Sequence, residues 1–174
     1  MYFSLKVVDR TRQFGRLIGI ADKIRPIYVG NHASLGRRGI LPIEEWPLGS
    51  QIWKLDFREH DVFLQVNKDI SGLADRVRTD PTFYAIIFPE VIRRVLERSI
   101  FVEGAEVEED SDRWPATWLR FGRSLHPMRE DPPGSHDPEE SDEWIEDVAE
   151  AFCDKHGFRK DFQRAMGDTS EVLE

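Results

Sequence analysis

The sequence has little of what marks secreted and membrane proteins. Of its 174 residues only Cys153 is a cysteine, which excludes an intrachain disulfide and fits a reducing compartment. No apolar run approaches the roughly 18 residues that a membrane-spanning helix requires. The N-terminus carries only a short apolar stretch before Asp9, which is not the pattern of a signal peptide. We therefore expect a cytoplasmic protein with no membrane partner.

Motifs that hold nucleotides, metals or nucleophiles are also missing. The glycine-containing loop at 30–39 lacks the Gly-Lys-Ser/Thr ending of a phosphate loop and the Gly-x-Gly-x-x-Gly spacing of a dinucleotide fold. There is no Gly-x-Ser-x-Gly, no His-Glu-x-x-His and no kinase signature. The sequence therefore predicts no cofactor and no metal, and it favours a non-catalytic protein over an enzyme.

Charge is abundant but unevenly distributed. The chain has 24 Lys+Arg and 33 Asp+Glu, a formal net charge of −9. Residues 1–100 hold 16 basic and 12 acidic side chains, whereas residues 101–174 hold 8 and 21. The first 41 residues are basic, with 8 Lys+Arg and 2 Asp+Glu. This division favours attraction between the two parts, to a partner or to a second copy. The alternative is two ordinary solvated surfaces.

Alternation of apolar and polar residues indicates strands in the N-terminal part. The segments 2–8 and 14–20 are apolar and β-prone, and two shorter proline-containing candidates follow before residue 46. Residues 52–57 and 62–67 alternate between an apolar and a polar face, and the connection between them has hairpin length. We expect this last pair to form an antiparallel hairpin.

After residue 67 the apolar residues recur with the period of a helix. A short helix is predicted after Ser71, which can cap it. The dipeptide Asp80-Pro81 then combines an N-cap carboxylate with a proline at the first helical position. The long helix that begins there is predicted to run to about residue 102. Pro89 lies within it, so we expect a kink or a division near Phe88.

Two further helical stretches are bounded by local signals. Ser111 or Asp112 precedes an aromatic stripe that ends at His126. Asp137-Pro138 begins the next helix, and Gly157 suits its left-handed end. A short final helix is predicted beyond that glycine.

Strands first and helices afterwards predict an α+β fold, with a small antiparallel sheet in the N-terminal part and a helical C-terminal part. Prolines and charges between the last two helical stretches indicate a flexible linker. The predicted organisation is an α+β domain at 1–126 (strands about 2–66, helices about 71–126), a linker at 127–136, a C-terminal helical pair at 137–167 and a frayed tail at 168–174.

Aromatic side chains on the C-terminal helical pair are the best sequence argument for a binding role. Two short helices after a linker bury little alone, so they must dock on their own domain or on a partner. The leading hypothesis is a non-catalytic interaction subunit of a soluble cytoplasmic complex, which binds another protein or a second copy through its acidic helical C-terminal part. Core packing is the alternative for these side chains. The candidate interaction residues are Trp144, Phe152, Phe158 and Phe162.

A second hypothesis is an accessory protein that contacts nucleic acid through its basic N-terminal strands. In the glycine-containing loop, Arg37, Arg38 and His32 are the candidate phosphate contacts. A flexible connection between strands is the alternative explanation of this loop. The net charge of −9 argues against binding by this chain alone, because affinity for nucleic acid depends mainly on neutralising phosphates.

A third hypothesis is an enzyme with a dispersed site. His60 and Asp61 on the predicted hairpin turn are candidate acid–base groups, although an exposed turn also favours charged residues. Cys153 and His156 share a helix face, but two ligands do not make a zinc site. No visible group would supply an oxyanion site to a Cys153 nucleophile.

Overall fold

The computed structural model describes residues 3–9, 16–24 and 40–167, which fall into two compact units, Met1–Arg37 and Arg38–Glu174. In the first unit, β1 (Phe3–Asp9) pairs antiparallel with β2 (Arg16–Ile24). Both strands are rich in the apolar residues that favour pleated structure. The strand predicted after Ile24 lies outside the described residues.

A three-stranded mixed sheet opens the second unit. Its strands are β3 (Ile43–Trp46), β4 (Trp53–Phe57) and β5 (Val62–Asn67), in the order β3-β5-β4. β4 and β5 form the predicted antiparallel hairpin, and β3 pairs parallel with β5. The α+β prediction is confirmed, but the sheet is mixed and not wholly antiparallel. β3 binds the free side of β5 and runs in the same direction, which alternation along the sequence does not reveal.

Helices make up the rest of the second unit. The α-helices are α1 (Leu73–Thr79), α2 (Pro81–Glu97), α3 (Trp114–Leu125), α4 (Pro138–His156) and α5 (Phe158–Gly167). A π-helical segment, Arg98–Val102, continues α2 directly. None of the described helices has both the length and the apolar character needed to cross a membrane.

Capping chemistry at α2 and α4 follows the sequence prediction. The Asp80 carboxylate accepts a hydrogen bond from the Thr82 N–H at 2.9 Å. Asp137 does the same for the Glu140 N–H at 3.3 Å, and Gly157 ends α4 with φ = 65°. These contacts satisfy backbone groups that the first and last helical turns leave unpaired.

Two other local predictions differ from the structure. α1 is preceded by Gly72 with φ = 74°, so Ser71 is not its N-cap. The N-cap of α3 is Arg113, which supplies no side-chain hydrogen bond, in place of Ser111 or Asp112. At Pro89 the sequence predicts a kink or a division: α2 continues through this buried proline as one helix, so it is not divided, and the kink stays a prediction. The cost of the missing proline N–H is offset where packing holds both halves of the helix.

The core lies between one face of the sheet and the helices. Val62, Leu64 and Val66 of β5 are fully buried in the same cluster as Val91 and Val95 of α2, which are also fully buried. α4 packs on α2 and α3, and α5 packs on α2. Burial of each such aliphatic side chain contributes about 1.5–3 kcal/mol, so these contacts hold the helices to the sheet.

The C-terminal helices belong to the same compact unit as the three-stranded sheet, and the predicted domain boundaries stay a prediction. The residues of the predicted linker are held by hydrogen bonds to their neighbours. Trp144 Nε1 donates to the Glu130 carbonyl at 3.1 Å, and Ser141 Oγ donates to the Gly134 carbonyl at 2.8 Å. This segment therefore fastens α4 to the unit. The predicted frayed tail at 168–174 lies outside the described residues.

Candidate functional site

The structure places most of the predicted interaction residues in the core. Trp144 is only 4% exposed, and Phe152 and Phe158 are also buried, while Phe162 is half-buried. The Phe158 ring packs against Phe152 and Tyr84, at 5.5 and 6.2 Å between ring centroids. In this arrangement the aromatic stripe serves the packing of the chain on itself. The docking surface predicted at Trp144, Phe152, Phe158 and Phe162 stays a prediction, and the burial of the first three favours the alternative of core packing.

The opposite face of α4 is exposed and strongly acidic. Its members are exposed acidic side chains of this one helix: Glu139, Glu140, Asp142, Glu143, Glu146, Asp147, Glu150 and Asp154. We call them the acidic face. Within the described part of the chain, only two of them contact a basic side chain. Glu146 accepts two hydrogen bonds from Arg93 at 2.6 and 2.8 Å, and Asp147 lies 3.6 Å from His126.

The Arg93–Glu146 contact fixes the acidic face on the fold. Its two parallel hydrogen bonds join α2 to α4, a geometry that arginine makes with carboxylates. The Arg93 hydrogen bond lowers the pKa of Glu146, so this carboxylate stays ionised. The stripe of Trp144, Ile145 and Val148 on the buried side anchors the same helix. The acidic face is thus a rigidly positioned surface.

A groove of about 550 Å³ adjoins the acidic face. Asp142 from α4 and Glu97 from α2 form its acidic side. The π-helical segment contributes Phe101 and Val102, and Val102 is 66% exposed. Phe57 of β4 adds a third apolar side chain. Insertions of π-helix are rare and occur often at functional sites, where they displace side chains from the regular helical face.

Two arginines also line this groove, and each is paired with a carboxylate. Arg94 Nε donates to Glu90 at 2.7 Å, and Arg98 Nε donates to Glu103 at 3.2 Å. The Arg98 guanidinium also lies 4.6 Å from the centre of the Phe57 ring. Because these cations already have partners, they offset little of the charge of Glu97 and Asp142.

Burial raises the pKa of Glu97, and the neighbouring carboxylates of Glu90, Asp142 and Glu146 raise it further. Arg94 acts in the opposite direction. The ionised form of Glu97 is therefore disfavoured in the folded protein. A cation placed in the groove would relieve this repulsion.

We expect Glu97→Gln to increase the free energy of unfolding at pH 7, by no more than about 0.5 kcal/mol because the position is exposed. A raised pKa in the fold means that wild-type stability is lost as the pH rises through that pKa. The difference between the proteins should therefore vanish in acid, where Glu97 is protonated. Urea unfolding of both proteins at several pH values measures this. Glu150→Gln is the control, and an equal gain from it would contradict the interpretation.

The outer face of the sheet carries a polar network that sequence reasoning missed. Gln65 is 2% exposed, and its Nε2 donates to Glu44 at 2.8 Å and to Asp56 at 3.0 Å. Arg58 bridges the same two carboxylates, and its Nε lies 2.8 Å from Asp56. Gln65 Oε1 is buried and has no hydrogen-bond partner among the residues that the structure describes. The alternation along β5 already placed Gln65 on the face opposite the core. No neighbouring residue in the sequence indicated that β3 and β4 would flank it on both sides.

His60 and Asp61 lie on the turn between β4 and β5. His60 is 88% exposed, and its imidazole lies 3.9 Å from Glu59. Asp61 accepts a hydrogen bond from the Val62 N–H at 2.9 Å, as turn residues commonly do. Both side chains line a shallow cavity of about 220 Å³ together with Asp112. The exposure of His60 in the described part of the chain is typical of a turn side chain.

Cys153 and His156 are explained by packing. Burial raises the pKa of the Cys153 thiol, which therefore stays protonated and poorly nucleophilic. The exposed His156 ring contacts both Phe152 and Phe158, at 4.4 and 5.4 Å between ring centroids. Within residues 3–9, 16–24 and 40–167, no group of three or more His, Cys, Asp or Glu is arranged to hold a metal ion.

The candidate phosphate contacts His32, Arg37 and Arg38 lie outside the described residues, as does the loop at 30–39 that carries them. Comparison of the chain with protein-family models, with curated proteins and with solved structures finds no match.

Proposed function

We propose that this chain is a non-catalytic interaction subunit of a soluble cytoplasmic complex, and that it binds a basic surface of a partner protein through the acidic face. The observation that supports this most directly is the exposure of all eight acidic side chains of α4, of which only two contact a basic group among the described residues. Among the described residues, the charge of this surface is largely uncompensated. Such surfaces select partners of opposite charge and accelerate their encounter.

The neighbouring groove provides apolar contact area, which charged side chains alone do not offer. Phe57, Phe101 and Val102 offer apolar area next to Glu97 and Asp142. Interfaces bind through buried apolar contacts, whereas exposed charge pairs contribute mainly to orientation and association rate. A partner segment with apolar residues beside a Lys or Arg therefore fits this surface best.

Nucleic acid is a poorer ligand for the described second unit. Residues 40–167 hold 16 Lys+Arg and 28 Asp+Glu, and much of the acidic excess is on α4. Phosphates would be repelled there, and nucleic-acid affinity depends on releasing counterions from them. Contact with nucleic acid through the basic N-terminal strands remains the second proposal. A gel-shift experiment at low salt tests it, and no retention of DNA or RNA would end it.

We expect charge reversal on the acidic face to abolish recovery of the partner. In Glu143→Lys/Glu150→Lys, two exposed residues without an ion pair among the described residues change sign, and the buried stripe of α4 is untouched. Affinity purification of the full chain from its native host, followed by mass spectrometry, should recover a partner with the wild type only. The interaction should also weaken at high salt, since the screening length falls from about 10 Å at 0.1 M to about 3 Å at 1 M.

The matched control is Glu106→Lys/Glu108→Lys. It makes the same change in net charge on the exposed loop that precedes α3. This control should recover the partner as the wild type does. If the same proteins are recovered with all three chains, or if both double variants lose them equally, the acidic face is not the binding surface.

A further inference from the structure

The strand β4 has one edge that no other strand of the structure covers. It lies at the end of the order β3-β5-β4 and pairs only with β5 among the described strands. The Asn67 N–H donates to the Ile52 carbonyl at 2.9 Å, and the Arg58 N–H donates to the Asp61 carbonyl at 2.9 Å. Hydrogen bonding alternates along an antiparallel strand, so the even-numbered residues of β4 face β5.

The odd-numbered residues of β4 therefore face outward. Trp53, Leu55 and Phe57 direct their backbone N–H and C=O groups away from β5, and no described residue hydrogen-bonds to them. An unpaired edge of this kind is a template for another strand. The sequence of β4 indicates which strand would pair with this edge.

The sequence of β4 is complementary to itself. It reads Trp-Lys-Leu-Asp-Phe, and an antiparallel copy centred on Leu55 places Lys54 opposite Asp56 of the second copy. The same register places Trp53 opposite Phe57 of the second copy. Opposite charges and paired aromatic rings are favourable cross-strand neighbours. A shift of the register by one or two residues loses the charge pairs.

The backbone supports the same register. With Leu55 on the two-fold axis, the outward groups of Trp53, Leu55 and Phe57 meet their equivalents in the second copy. This gives three hydrogen-bonded pairs, with about six new backbone hydrogen bonds. The lysine and the aspartate then occupy non-hydrogen-bonded positions, where side chains approach most closely.

The two charged side chains of β4 can make these contacts. Lys54 is exposed and has no ion pair in the part of the chain that the structure describes. Asp56 is half-buried and holds Arg58 through Oδ2 at 2.8 Å. A carboxylate accepts about four hydrogen bonds, so Asp56 retains capacity for a second cation.

From these observations we propose that the chain forms a symmetric homodimer in which β4 pairs antiparallel with β4 of a second copy. The two sheets become one continuous sheet, with an isologous interface of the kind that closed dimers use. Lysines on sheet edges usually discourage pairing, but here the register brings each lysine to an aspartate. The proposed dimer interface is on β4 and the partner surface is on α4, so variants of the acidic face leave the dimer interface unchanged.

Analytical ultracentrifugation of the full chain tests the dimer. The wild type should sediment as a dimer of the 20.3 kDa chain at sufficient concentration. Lys54→Asp places two aspartates opposite each other at both ends of the interface. We expect this to raise the dissociation constant at least about tenfold, whereas Lys68→Asp, the same charge change on the turn after β5, should leave it unchanged.

A mixture of two variants tests the register itself. Asp56→Lys alone should also be monomeric, because it places lysine opposite lysine. Once circular dichroism shows that this variant is folded, an equimolar mixture with Lys54→Asp should form a heterodimer, since every opposing pair again has opposite signs. If the mixture of folded chains stays monomeric, the proposed register is wrong.

Two other results would overturn the dimer. One is a wild type that remains monomeric up to about 1 mM, where association would contribute only about 4 kcal/mol. The other is a dimer that Lys54→Asp and Lys68→Asp weaken equally, or that neither weakens. Neither result would bear on the acidic face, whose test measures partner recovery with β4 intact.

Discussion

Replacing Trp144 with alanine is expected to lower the free energy of unfolding by about 3–5 kcal/mol, the range for removing a large aromatic side chain from a core. Trp144 is 4% exposed and stacks on His126 with 5.8 Å between ring centroids. Its Nε1 donates to the Glu130 carbonyl at 3.1 Å. The substitution therefore leaves a cavity between α3 and α4 and removes a hydrogen bond that fastens the intervening segment.

Urea or thermal unfolding measures this loss, and Trp46→Ala is its control. Trp46 is 47% exposed at the end of β3, so the same truncation there should cost less than about 1 kcal/mol. Equal losses in the two variants would show that Trp144 is not a core residue. A small loss for Trp144→Ala, together with loss of a partner, would restore the docking role predicted from the sequence.

The contrast between these two tryptophans shows what the sequence could not decide. The stripe of Trp144, Ile145, Val148 and Phe152 has helical spacing, and that spacing is the same for a helix in a core and for one that docks on a partner. Whether α4 packs in its own core or on a partner depends on the path of the segment that joins α3 to α4. The hydrogen bonds from Trp144 and Ser141 to that segment show that α4 returns to its own fold.

Signals that act within a few residues predicted the structure well. Asp80-Pro81 begins α2 and Asp137-Pro138 begins α4, because an N-cap carboxylate and a proline at the first position act on the nearest turn only. The alternation in 52–57 and 62–67 likewise predicted the β4–β5 hairpin. Each of these features stabilises structure without help from distant residues.

Features that depend on distant residues were missed. The parallel pairing of β3 with β5, the burial of Gln65 and the open edge of β4 all follow from the strand order. The acidic character of the C-terminal part was visible in the sequence, but its concentration on one exposed face depends on the burial of the other. The sequence therefore shows which charges the surfaces carry, whereas packing determines where these charges are exposed.

Packing between α3 and α4 leads to the second large effect, at Gly122. A Cβ at this position would lie 2.6 Å from Trp144 Cη2 and 3.4 Å from Leu96 Cδ2. We expect Gly122→Val to cost about 2–3 kcal/mol, in the upper part of the range for overpacked cores. Gly122→Ala should cost less, because alanine is favoured over glycine in a helix by about 1 kcal/mol.

The control is Gly167→Val at the end of α5, where a Cβ meets nothing within 4 Å. Its effect on the free energy of unfolding should stay within about 0.5 kcal/mol, as at other exposed positions. If Gly122→Val were no more harmful than Gly167→Val, the close approach of α3 to the Trp144 ring would be wrong. Chemical denaturation distinguishes these outcomes, provided that the free energy of unfolding depends on denaturant concentration with the same slope in both variants.

A double-mutant cycle identifies Trp144 as the source of the conflict. Phenylalanine lacks the Cη2 and Cζ3 atoms that lie closest to the added Cβ, so Trp144→Phe opens space beside Gly122. In that background Gly122→Ala should be less destabilising than in the wild type, with a coupling of about 1 kcal/mol or more, as residues in contact show. Additive effects would mean that the strain falls on Leu96 or the backbone. Positive coupling would show that α3 carries glycine at 122 because the tryptophan of α4 occupies the space of its side chain.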